Sequence, residues 1–463
     1  MAKVPALRVK LTISRRCRRL LILVALAVSI LAIWHAGQTY FRWDEWRYWT
    51  VRRDFLEAGG AKNLVHFFLS PHIGTFSPGI MLLWLPLDTV FGMHSYLPYA
   101  LPPILLHLVA GFALFEVLVA RVRPLVALLS SSLFLVMGNA ALGLSTGWMV
   151  GYTASLACGF LSLLVISRTG DGEMPLRSAL ATLGLVMVSL SFSSVGFAVA
   201  FMVVMAQVLK RRFALAAVHF LVAGLPYLLW RVAYEPSTLS PQLDRIGSYL
   251  DFMWKGLSSA SAELLGVPIG SWAALTFAGA ILGAVWSFRE RADLWVINVA
   301  SLTSAGFFYF LVTLRSIDLS PLAFAPDQDR YLYVAAALML PSLAWLVDRL
   351  VSLSSRSVIP LVVIAAVAIP LNSLQQLDTY RTADSMGASN RAVIETAASV
   401  VGELGQLDAG FLVADRTARF TAEQFGRLVN RGKVPCFADP EQVSDFAQRQ
   451  ALPASSVDRA TCE

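Results

Sequence analysis

Two adjacent carboxylates, Asp44 and Glu45, follow the first long apolar run inside the segment FRWDEWRYWTVRRDFLEAGG. A carboxylate held beside a membrane-embedded cleft can take a proton from a hydroxyl, which is general-base work. Such a pair near a membrane face costs free energy unless it is solvated or paired. A structural reading stands beside the chemical one. Arg42, Arg47, Arg52 and Arg53 can neutralise Asp44, Glu45, Asp54 and Glu57, and Trp43, Trp46, Tyr48 and Trp49 have the make-up of an interfacial aromatic belt. Arg330, in PDQDRYLY, poses the same choice. A guanidinium grips phosphate oxygens in a bidentate way, but Arg330 can equally anchor a helix end, paired with Asp327 or Asp329. Arg315 and Arg245 are weaker candidates on outer loops. His72 reads either as a ligand of a phosphate or acceptor, or as a satisfied loop histidine. His107 and His219 lie in apolar runs and read as core, and Glu116 is placed to pair with Arg121 or Arg123. No Walker or GxGxxG phosphate loop, CxxC pair or HExxH is present, so nothing supports ATP-driven chemistry within this chain.

The elements that must position these residues are membrane helices. Of 463 residues, 14 % are charged and 57 % hydrophobic, and the mean hydropathy is +0.64. A soluble domain carries about 25 % charged residues. These figures exclude a disordered chain, a nucleic-acid-binding protein and a string of soluble domains. A span takes roughly 20 mainly apolar residues. Eleven are expected: Leu20–His35, Tyr96–Ala120, Leu125–Leu144, Val150–Ser167, Ser178–Ser194, Gly196–Leu209, Phe213–Tyr234, Ile269–Phe288, Trp295–Leu314, Tyr331–Val351 and Val358–Leu371. With the N-terminus inside, the inner segments hold 18 Lys and Arg and the outer loops of the membrane body 10, which favours that orientation in a plasma membrane. The expected organisation is a cytoplasmic basic tail (1–19), a membrane body (20–371) with a long first outer loop (36–95), and an extracytoplasmic C-terminal domain (372–463). That tail has 9 basic and 12 acidic side chains in 92 residues, a soluble composition. Its FLVAD stretch and the helical pattern of Ser389–Leu404 predict a small α/β domain. Cys436 and Cys462 both fall in it, where a disulfide persists. The loop Glu235–Pro268 is amphipathic around Tyr249, Asp251, Phe252, Trp254 and Lys255, and is expected to lie along the membrane and cover a cleft.

The segment Asp44-Glu45-Trp46-Arg47-Tyr48, then Arg53 and Leu56-Glu57-Ala58-Gly59, resembles the DExxY region after the first helix of the GT-C superfamily, which includes protein mannosyltransferases and bacterial aminoarabinose transferases. PHIGTFSPGIMLLW, with His72, Gly74 and Pro78, resembles the second part of that loop, where a His or Lys precedes a Pro-led interfacial helix. Asp88 to Gly92 resembles its end. Ser77 stands where aminoarabinose transferases often carry a basic residue. The close match covers about 60 residues. Beyond them, the RYLY motif, the hydropathy pattern and the outer tail carry the likeness.

The resemblance implies an all-α polytopic membrane protein of GT-C type and a glycosyl transfer. The donor would be a polyprenyl-phosphate-linked sugar and the acceptor a glycan or lipid of the cell envelope, with membrane lipids as surroundings and no nucleic acid. Asp44 would be the base and Glu45 a second carboxylate that orients the acceptor or holds a cation. Arg330 and His72 would meet the donor phosphate, and Trp46, Arg47 and Tyr48 the substrate. A divalent cation stays open, since the spacing of the oxygen ligands is not diagnostic. Two rivals remain: a transporter or flippase of lipid-linked saccharides, which would favour inverted repeats and charges near the bilayer midplane, and a non-catalytic assembly partner.

Overall fold

The computed structural model describes residues 4–42, 45–72, 74–170, 172–234, 246–266, 271–290, 292–319, 328–353, 358–400, 411–413, 419–436 and 440–449. In chain order these form α1 (Val4–Ala36), a π-helical turn (Tyr48–Arg52) that runs into α2 (Arg53–Ala58), α3 (Gly60–Leu69), α4 (Pro78–Phe91), α5 (Leu97–Val119), α6 (Pro124–Leu135), α7 (Ala140–Leu144) and α8 (Val150–Arg168). There follow α9 (Leu176–Phe192), α10 (Val195–Leu209), α11 (Phe213–Tyr234), α12 (Ile246–Leu265), α13 (Ser271–Glu290), α14 (Ala292–Leu319), α15 (Asp329–Leu353) and α16 (Val358–Ser399). The tail adds strands β1 (Phe411–Val413) and β2 (Arg419–Thr421), paired antiparallel with Leu412 opposite Phe420, then α17 (Ala422–Asn430) and α18 (Pro440–Arg449).

The protein is a predominantly α-helical polytopic membrane protein, with one short β-hairpin in its tail. Among the described residues, six helices are long and apolar enough to cross a bilayer, and five more apolar helices are shorter. Every expected span falls on a helix, but the third does not hold together. Leu125–Leu144 breaks at Val136, where α6 ends, and resumes as α7 four residues later. Gly138 and Asn139 in the gap explain why: neither favours a helix interior.

The chain divides into two compact units, residues 1–31, 103–144 and 149–379 in the first and 32–102, 145–148 and 380–463 in the second. In the first, α10 packs against α8, α9, α11 and α14, and α12 to α15 pack on one another. The core of this unit runs along α15, where Tyr331 to Ser342 are all buried. His107 is indeed a core histidine, 2.8 Å from the Tyr333 hydroxyl and 3.2 Å from the Leu135 carbonyl. His219 likewise meets Thr182 and Leu215. Glu116 pairs with Arg18 at 2.8 Å, not with Arg121 or Arg123, because α1 brings its basic end to that carboxylate. The segment expected to lie along the membrane is α12. Its first turns expose Leu250 and Trp254, but its second half, Gly256 to Ala262, is buried against its neighbouring helices.

In the second unit the first loop is folded rather than extended. Gly59 and Gly60 both take positive φ at the α2–α3 corner, which side chains disfavour. Pro78 opens α4, where a missing N–H costs nothing. The tail joins this same unit: α16 crosses residue 372 unbroken, and the change of unit falls at Tyr380. Cys436 is disulfide-bonded, whereas Cys17 and Cys158 are free thiols. Cys462, its expected partner, lies outside the described residues.

Candidate active site

Glu45 is fully buried. Its Oε2 accepts the backbone N–H of Arg42 at 2.9 Å. Its Oε1 accepts the Tyr96 hydroxyl at 2.7 Å and the Trp148 N–H at 3.1 Å. The Glu45 N–H donates back to the Arg42 carbonyl at 3.2 Å. Tyr96 in turn accepts the Gly147 N–H at 2.6 Å. Arg42, 1 % exposed, donates to the Ser145 carbonyl, the Ser145 hydroxyl and the Thr146 hydroxyl at 2.9, 2.5 and 2.8 Å. The turn Ser145–Trp148, distant in sequence, is therefore clasped from both sides by the acidic segment. Burial pushes the Glu45 carboxyl up to about 7, against the pull of the hydrogen bonds from Tyr96 and Arg42.

Asp44 and Trp43 lie outside the described residues; Arg42 and Glu45, which flank them, carry this whole network. His72 is 2 % exposed and stacks on Trp148 with ring centroids 3.8 Å apart. Its backbone closes a tight turn with Thr75 through two hydrogen bonds of 3.0 Å, and Gly74 takes φ 68° within it. Glu45 and His72 thus meet through one residue, Trp148. Of the expected substrate-binding residues, only Arg47 is exposed. Trp46 is buried beside Tyr40 and Phe41, and Tyr48 beside Trp49, Phe67 and Trp84.

Tyr48 also reaches a second carboxylate. Its hydroxyl donates to Asp88 at 3.3 Å; Arg53 pairs with the same oxygen, and Lys433 caps the Asp88 and Thr89 carbonyls at 2.8 and 3.0 Å. Burial raises the Asp88 carboxyl, and Arg53 and Lys433 offset it. Of the loop charges, Arg53 pairs with Glu57 within the loop at 3.4 Å, and others reach farther. Arg52 donates to the carbonyls of His66, Phe67 and Ser70. Asp54 and Glu57 meet Arg427 of α17, at 3.0 and 2.7 Å, and Arg431 meets Glu57 at 2.8 Å. His35, at the end of α1, contacts Asp384 and stacks on Tyr380. Sequence reasoning missed Tyr96, Asp384 and the Ser145–Trp148 turn, and it gave Arg42 and Asp88 no place in the site. Arg42, just before the acid pair, carried the one local signal.

Arg330 belongs to the first unit. It is half-buried, donates to Gln328 at 3.1 Å and lies over the Tyr331 ring at 5.1 Å. Among the described residues no group of three or more His, Cys, Asp and Glu side chains is gathered as a metal ion would need.

The chain shares its overall fold with solved structures of low sequence identity. It is similar to ArnT from Cupriavidus metallidurans in the apo state, with TM-score 0.52 and 13 % identity over 96 % of this chain and 89 % of that one. It is similar also to ArnT from the same organism bound to undecaprenyl phosphate, with TM-score 0.50 and 13 % identity over 93 % and 88 %. No protein-family model and no curated protein matches the sequence.

Proposed function

We propose that the protein is a membrane glycosyltransferase that moves a sugar from a polyprenyl-phosphate donor to a glycan or lipid of the cell envelope, on the extracytoplasmic side of the plasma membrane. The observation that carries the reading is the buried, triply hydrogen-bonded Glu45 at the acid pair after the first helix of a GT-C fold. Glu45 has donors on both oxygens, which suits it to hold its segment rather than to exchange protons with an acceptor. The base is assigned to its neighbour, Asp44. The Asp44 carboxylate takes the proton of the acceptor hydroxyl as that oxygen bonds to the anomeric carbon. The bond from that carbon to the phosphate oxygen breaks, and the lipid phosphate leaves with the electron pair. Arg330 is assigned the charge developing on that phosphate. Arg47, the exposed member of its trio, is assigned to substrate. His72, buried and stacked on Trp148, remains a second phosphate candidate.

The test is an assay of the purified protein with a panel of polyprenyl-phosphate sugars, following sugar transfer and lipid-phosphate release. Parallel runs with EDTA and with added Mg2+ read any divalent cation. Turnover with at least one donor is expected. Movement of an uncleaved lipid-linked sugar across vesicles would make the protein a transporter, and no turnover with any donor would leave the fold with an assembly role.

A further inference from the structure

The break between α6 and α7 lies in the first unit, and what surrounds it is polar. The Gly138 N–H donates to Asn372 Oδ1 at 3.0 Å, and Asn372 Nδ2 donates to the Ala368 carbonyl at 2.9 Å. A Cβ on Gly138 would lie 2.4 Å from Gln375 Oε1, so a side chain there would have to displace the Gln375 amide. Gln375 Nε2 donates to Glu263 of α12 at 3.0 Å. Asn372, Gln375 and Gln376 share one face of α16, being three and four positions apart. Glu263 also feels the like charge of Asp329, the neighbour of Arg330.

Two side chains in this region are left over. Asn139 is 1 % exposed, and neither its amide nitrogen nor its amide oxygen has a hydrogen-bond partner. Gln376, equally buried, has no partner for Nε2. An unpartnered buried amide group is destabilising, so each needs an explanation. The helix break sharpens the point. Non-helical backbone at membrane depth is tolerated where it is buried in protein or lines a cavity, and in secondary transporters broken helices form substrate sites.

We propose that Asn139 and Gln376, supported by Asn372, Gln375 and Glu263, bind the ring hydroxyls of the donor's sugar. The inference rests on the glycosyl-transfer reading above and adds the part of the substrate that this cluster recognises. A sugar hydroxyl both donates and accepts, and a primary amide offers both functions in one plane. The two unpartnered groups are amides without charge, and the one ionisable member, Glu263, is acidic, so the cluster suits a polyhydroxylated ring rather than the phosphate, which takes a guanidinium. Sites built to hydrogen-bond a substrate hydroxyl reject analogues that lack it, because their polar groups are then unpaired.

The experiment measures binding by the full-length protein in nanodiscs. The probes are undecaprenyl phosphate and undecaprenyl phosphate carrying glucose, mannose or arabinose. Wild type should bind at least one glycosylated lipid about tenfold or more tighter than the bare lipid phosphate. Asn139→Leu and, separately, Gln376→Leu should remove most of that difference and leave the bare lipid phosphate unaffected. Asn139→Asp, close in shape, should weaken it and provides the reading if Asn139→Leu does not fold. Equal wild-type affinity for bare and glycosylated lipid, or full sugar discrimination in the variants, overturns the inference while leaving the donor reading intact. If the variants lose only competition by a soluble methyl glycoside, the amides face the acceptor and the inference falls. Failure of wild type to bind any of these lipids defeats the donor reading itself, and this inference with it.

Discussion

Asp44 and Glu45 are adjacent, yet their expected contributions separate cleanly. A general base contributes about 10²–10⁴-fold in rate. Asp44→Asn keeps the shape and removes the proton acceptor, so transfer should fall by that factor while expression and donor binding persist. Glu45→Gln keeps the Oε1 contacts to Tyr96 and Trp148 but sets an NH2 against the Arg42 N–H. It should lower stability by about 1–3 kcal/mol and reduce transfer less than Asp44→Asn does. Near-normal transfer in Asp44→Asn with a dead Glu45→Gln would exchange the two roles. The Glu45 carboxyl, raised from 4.5 to about 7, also predicts a pH dependence. The folded state binds the extra proton between these values. The contribution of this group to stability is therefore full below about 4.5 and is lost as pH rises through about 7, by about 3 kcal/mol in all. Melting temperatures of wild type and Glu45→Gln at pH 5 and pH 8 check this: wild type should lose more on going to pH 8. The acid pair itself was legible in the sequence. Tyr96 and the Ser145–Trp148 turn were not, since no local pattern announces that residues about 50 and 100 positions away will supply the donors.

At the scale of elements, α3 depends on one guanidinium. Arg52 is 2 % exposed and donates to three carbonyls at the C-terminal end of α3. Helix ends leave such carbonyls without intrahelical partners, and a cation there also meets the helix dipole. Arg52→Ala should cost about 2–3 kcal/mol, and Arg52→Lys should rescue it only in part because an ammonium cannot span the fork. Melting temperature and limited proteolysis of the first loop read both. α16 offers a second case. A Cβ on Gly387 would lie 2.5 Å from the Tyr40 backbone N, which is not a flexible neighbour. Gly387→Ala should therefore destabilise by about 1–3 kcal/mol, despite alanine's better helix propensity; a raised melting temperature would contradict that close packing. Helix positions were readable from apolar runs, whereas the break in the third span and the packed second half of α12 depend on neighbours that hydropathy does not see.

For the molecule as a whole, orientation and the tail are the open quantities. Tags on both ends of the protein, probed in intact cells with an impermeant reagent, should label the C-terminus before lysis and the N-terminus only after it. A Cys436–Cys462 link should appear in non-reducing peptide mapping, and in the chain-entropy model a loop of that size stabilises by about 3–4 kcal/mol. Arg330→Ala should weaken donor use strongly and Arg330→Lys restore it partly; unchanged donor affinity would leave Arg330 as an interface anchor over Tyr331. The sequence by itself determined that the chain is helical and membrane-embedded, because apolar length and charge depletion are local properties that solvent transfer energies act on directly. It also determined where the first loop lies and which residues open it. Only the tertiary structure decided that Glu45 is clasped by residues 96 and 148, and that Asp54 and Glu57 reach α17, Glu57 in addition to its loop neighbour Arg53. It likewise decided that the tail shares a compact unit with the first loop. Burial and pairing are set by which distant segments fold against one another, and short-range composition carries no record of that choice.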